Sequence, residues 1–82
     1  MSMYIDFVEE NTSHDCIVVS PEGEAEILTL RESEACRLEG LGSTVMTFGE
    51  VGIRQTEAEA IVAYQNGKSK VKPVFFDSLF IQ

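Results

Sequence analysis

Residue types that could do nucleophilic chemistry stand side by side at Ser13-His14-Asp15-Cys16. Adjacency of this kind is not a catalytic triad, because successive side chains of an extended chain leave on opposite faces. His14 and Cys16 would share a face about 6.8 Å apart, beyond the reach of a direct hydrogen bond. The segment reads as a surface histidine beside a buried cysteine. One histidine and two distant cysteines, Cys16 and Cys36, also fall short of a tetrahedral zinc site. Without C-x-x-C spacing, both cysteines are expected to be free thiols acting as small apolar side chains.

The phosphate-binding patterns fail on inspection. Gly67-Lys68-Ser69 matches the tail of a phosphate loop, but Val62 occupies the place of its first glycine. Gly40-Leu41-Gly42 opens a dinucleotide fingerprint whose third glycine is replaced by Val45. Paired carboxylates at Glu9-Glu10 and Glu32/Glu34 belong to no D-x-D-x-D-G calcium loop and read as solvated surface. Asn11-Thr12-Ser13 matches a glycosylation sequon, which has no meaning without a secretory route. These readings point away from an enzyme and imply no metal and no cofactor.

Charge carries more information. Fourteen acids against six bases give a net charge of −8. Residues 1–30 hold seven acids and neither Lys nor Arg, whereas residues 68–82 hold Lys68, Lys70 and Lys72 against Asp77. Such a chain repels nucleic acid and anionic membranes, because affinity for phosphates rests on Lys and Arg. The expected partner is itself a basic protein, with no direct nucleic-acid or membrane contact. Glu22, Glu24 and Glu26 alternate, so an extended strand would project all three from one face at about 6.8 Å spacing, similar to neighbouring phosphates on a nucleic-acid strand. Asp15, across a hairpin, would add a fourth carboxylate. These four form the candidate partner-binding row.

A second candidate surface is the carboxyl end, where Phe75, Phe76, Leu79, Phe80 and Ile81 put apolar side chains on both alternating faces. Such a strand is either central to the core or covers another protein's surface. Lys68, Lys70 and Lys72 just before it resemble the charges that guard an edge strand.

These residues need a scaffold. Met3–Val8 is fit for a first strand. The β-branched run in Asp15–Ser20, the turn signal Ser20-Pro21-Glu22-Gly23 and Glu24–Thr29 read together as a β-hairpin. Thr29 and Glu32 suggest a capping box for a helix over Leu30–Glu39, with Ala35, Cys36 and Leu38 as its buried stripe and Gly40 as its stop. Thr44–Phe48 is expected as a strand, turning at Gly49-Glu50 into Val51–Gln55. Residues 57–66 allow two readings. Thr56, Glu59 and three alanines favour a helix ended by Asn66-Gly67, whereas Asn-Gly could instead turn a hairpin that pairs Val62 with Val71. The helix is preferred. Val71–Phe76 and Leu79–Ile81 would close the chain as strand.

The sum is a single α+β domain over residues 1–82, a small antiparallel sheet with one or two short helices. Met3 offers an alternative start that would leave Met1-Ser2 as an expression remnant. No signal peptide or membrane span is visible, so the expected location is the cytoplasm and the expected state a monomer or homodimer. In size and charge the chain is similar to the small acidic inhibitors of phages and mobile elements, some of which imitate nucleic acid. That likeness covers no motif. It suggests an inhibitor or regulator docking on a basic, nucleic-acid-handling protein. The alternative is an assembly subunit that self-associates through its aromatic carboxyl end.

Overall fold

A computed structural model of the chain describes residues 11–80, with only the backbone described at Ser78 and Phe80. The expected strand Met3–Val8 and the residue Ile81 lie outside the described residues.

Strand β1 (His14–Val19) and strand β2 (Ala25–Leu30) form the expected antiparallel hairpin, with Ile17 opposite Ile27. Its loop is Pro21-Glu22-Gly23, closed by Gly23 N–H to Ser20 O and Ser20 N–H to Glu24 O, both 2.8 Å. Gly23 adopts φ +90°, a left-handed conformation that other residues reach only with strain. Strand β3 (Thr44–Thr47) pairs with the other side of β1, giving the antiparallel order β2-β1-β3.

The register sorts the side chains onto two faces. Cys16, Val18, Leu28, Leu30 and Val45 share one face, where they meet Ala35 and Leu38 of helix α1 (Glu32–Gly40). Ile17 and Met46 share the other, with Ile53 and with Ala58 and Ile61 of helix α3 (Gln55–Gln65). Central strand β1 is therefore covered on both sides. Fully buried Ile17 sits at the middle of the larger core, where truncation to Ala would cost about 2–5 kcal/mol. The architecture is α+β, as expected.

Several local expectations are corrected. The capping glutamates of α1 and α3 are Glu34 and Glu57, which accept the backbone N–H of Arg31 and Arg54 at 2.8 Å, two residues away from the boxes read at Thr29/Glu32 and Thr56/Glu59. Thr29 stays in β2 and its hydroxyl donates to Asp15 at 2.8 Å. Cys36 is exposed on α1 rather than part of its buried stripe.

Phe48 leaves the sheet, because Phe48–Val51 is a helical turn, α2. Thr47 and Glu50 form its capping box through reciprocal 3.0 Å bonds, and Gly52 ends it in the left-handed region. No strand follows at 51–55. Residues 55–65 are helix, the preferred reading, since Ala58, Ile61 and Val62 recur at helical spacing against the core.

The expected carboxyl-terminal strand is absent among the described residues. Residues 66–75 are irregular and Phe76–Phe80 is a short helix, α4. Pro73 lacks a ladder donor, and its carbonyl instead accepts Phe76 N–H at 3.1 Å as α4 begins. Phe76 and Leu79, three apart, then turn the same way into the larger core.

Candidate functional site

Helix α3 ends in a Schellman motif: Lys68 N–H bonds Ala63 O at 2.8 Å, Gly67 N–H bonds Tyr64 O at 3.1 Å, and Gly67 takes φ +75°. This stop delivers the last side chains of the helix to the hairpin. Asn66 meets the backbone of Ala25 twice, accepting its N–H on Oδ1 at 2.7 Å and donating from Nδ2 to its carbonyl at 2.8 Å. Gln65 donates to the carbonyl of Gly23, also at 2.8 Å. Backbone that would otherwise lie at a bare sheet edge is held by two carboxamides.

Between the clamped hairpin loop and the helix end lies an open groove of about 590 Å³. Glu22, Glu24 and Glu26 line it, with Lys68 as the cation on its rim. All three glutamates are exposed. Among the described residues the ion pairs are Arg31–Glu34, Arg54–Glu57 and Lys72–Asp77, and none draws on these three acids. The negative end of the α3 dipole faces the same groove through Gln65 and Asn66. The arrangement attracts cations and basic side chains.

The structure thus brings together three of the four residues of the acidic row, by a different geometry from the one expected. Glu22 lies in the loop and Glu24 just before β2, so the three do not project from one extended strand. Glu24 and Glu26 keep the same facing, two residues apart. Asp15 does not join them. It pairs with Thr29 near the opposite end of the hairpin and faces the side of the sheet that carries Ile17, whereas Glu26 faces that of Val18. Sequence reasoning missed Gln65, Asn66 and Lys68 as companions of the glutamates. The Asn-Gly pair marked where the helix stops but not what its side chain would reach.

At the other sites, His14 opens β1 exposed, while Cys16 is buried and its thiol donates to the carbonyl of His14 at 3.3 Å. Burial pushes the Cys16 thiol up, and the carboxylates of Asp15 and Glu50 push it further, so the thiolate is disfavoured. At the carboxyl end, Phe76 packs edge-on against Tyr64 with ring centroids 4.8 Å apart, and Leu79 is buried. Phe75 is instead 41% exposed, beside Val74 at 89% and Val71 at 77%. Lys68, Lys70 and Lys72 guard no strand: they lie on the irregular segment, where Lys72 bonds Asp77 at 2.7 Å.

Compared with known proteins, the chain matches no family model, no curated protein and no solved structure. The site must be read from its own chemistry. No helix among the described residues is long and apolar enough to cross a membrane.

Proposed function

We propose that this chain is a non-enzymatic acidic binding domain, an inhibitor or regulator that docks its hairpin end on a basic protein surface. What supports the reading is the groove at the hairpin loop, where Glu22, Glu24 and Glu26 stand exposed around backbone pinned by Gln65 and Asn66. A cluster of like charges carried on an ordered backbone speeds encounter with an oppositely charged surface. Surfaces rich in Lys and Arg are typical of proteins that handle nucleic acid, which makes these the favoured partner class. The three carboxylates act here as a cluster, and the reading does not need the even spacing of a phosphate backbone.

The test is the triple exchange Glu22→Lys, Glu24→Lys and Glu26→Lys, which moves the net charge from −8 to −2. Stability should change little, because substitutions at exposed sites stay within about 0.5 kcal/mol each. Affinity for the basic protein captured from the source cell should fall at least about tenfold at low salt, mostly through the association rate. The triple Gln variant should fall between the two. Unchanged affinity of the Lys variant at low and physiological salt would remove the groove as the recognition surface.

A second reading, an assembly subunit, is supported by the exposed apolar run of Val71, Val74 and Phe75. It calls for discrete oligomers that persist in high salt, as read by sedimentation.

A further inference from the structure

The two edges of the sheet are finished differently. On β3 the strand is four residues long, and the N–H of its last residue, Thr47, is taken by Glu50 at 3.0 Å. Strand β2 is longer, and among the described residues its protection stops at the Asn66 contact on Ala25 and the charge of Glu26: its sequence Ala-Glu-Ile-Leu-Thr-Leu has no Lys and no Pro, and it pairs with β1 residue for residue without a bulge.

Hydrogen bonding alternates along an antiparallel pair. Ser20 and Glu24 are a bonded position, so Ala25, Ile27 and Thr29 direct their N–H and C=O away from β1. Asn66 proves the direction at Ala25 by bonding both groups. Its carboxamide occupies the place that a peptide unit of an added strand would take. The next two rungs, at Ile27 and Thr29, carry no hydrogen bond to their outward N–H and C=O groups among the described residues. They follow directly from the acidic groove, since Glu24 and Glu26 bracket Ala25.

We propose that β2 accepts an extended Lys- or Arg-rich segment of the partner as a fourth strand, paired through Ile27 and Thr29 where Asn66 leaves off. The inference rests on the basic-partner reading and names how that partner is held. Charge selects the occupant: a second copy would bring its own Glu24 and Glu26 against a chain already at −8, whereas a basic strand sets a cation beside Glu26. Main-chain bonds supply the affinity and the alternating side chains the selection.

The test uses the whole labelled protein and a short blocked peptide of alternating Lys and Val, alongside the same peptide N-methylated throughout, which keeps its charge and loses its N–H donors. The unmodified peptide should slow amide exchange at Ile27 and Thr29 by at least about tenfold, and the methylated one should leave it unchanged. Thr29→Pro, which removes one outward N–H from an edge strand, should abolish that slowing at Ile27 while the circular dichroism of the fold persists. If both peptides bind with the same salt dependence and neither slows exchange, the edge is not the site, although the basic-partner reading survives. If neither peptide binds, both fall. Slow exchange at Ile27 and Thr29 that grows with protein concentration alone would assign the edge to a second copy and overturn the proposal.

Discussion

The side chain of Asn66 completes the backbone of Ala25, donating to its carbonyl and accepting from its N–H across forty-one residues of sequence. This contact joins the β1–β2 hairpin to the end of α3 at the lining of the acidic groove. Ala25 is buried beneath this contact, while Asn66 itself is exposed at the lining of the groove.

Asn66→Ala should destabilise the fold by about 1–3 kcal/mol, the net worth of two intramolecular hydrogen bonds. Asn66→Asp should be at least as damaging, because a carboxylate can still accept the Ala25 N–H but faces the Ala25 carbonyl and the negative end of α3. Denaturant midpoints at constant m value would register both losses. Wild-type stability in Asn66→Ala would mean that the clasp contributes nothing.

The carboxyl-terminal helix should behave as core. Leu79→Ala is expected to cost about 2–5 kcal/mol, and Phe76→Ala, half-buried against Tyr64, about 2–3 kcal/mol. Val74→Ala, at a largely exposed position, should change stability by less than about 0.5 kcal/mol. Thermal unfolding of the three variants distinguishes a docked helix from a peripheral tail, for which all three would be silent.

The two cysteines should differ in reactivity. Cys36 is exposed, whereas Cys16 is buried with its thiol held toward the protonated form. An aromatic disulfide reagent should modify one thiol promptly and the second only at the rate of unfolding. Prompt modification of both in native buffer would contradict the buried position of Cys16.

Acid should loosen the start of α1. The Arg31 backbone N–H, helped by the Arg31 guanidinium, holds the Glu34 carboxyl below its ordinary range. A depressed folded-state value favours the carboxylate, so its contribution is present above the ordinary value of about 4.3 and disappears as pH falls through the folded one. The Tm advantage of wild type over Glu34→Gln should shrink steadily below about pH 5. A difference that stays constant down to pH 3 would show that Glu34 does not titrate against this cap.

What the sequence determined by itself was local. The hairpin was legible because a β-branched run, a Pro-x-Gly turn and a second apolar run all specify the same short-range structure. The helix ending at Asn66-Gly67 was legible for the same reason, as was the concentration of acid in the first thirty residues. The capping boxes were misplaced by two residues because Thr-x-x-Glu was weighed by its threonine, while in the folded chain the glutamate alone caps Arg31 and Arg54. The carboxyl end was misread because apolar side chains on both alternating faces fit a fully buried strand, although Phe75, Phe76, Leu79 and Phe80 stand at i, i+1, i+4 and i+5, a spacing that also fits a helix. Only the core beneath Tyr64 decides between them. Likewise, alternation alone placed Glu22, Glu24 and Glu26 on a strand, but the hairpin loop claimed Glu22, and the pairing register turned Asp15 to the other face of the sheet. The groove depends on Gln65 and Asn66, more than forty residues away, and no local pattern encodes such a contact. Periodicity and turn chemistry are written in neighbouring residues, whereas a site assembled across the sheet edge exists only once the chain has closed on itself.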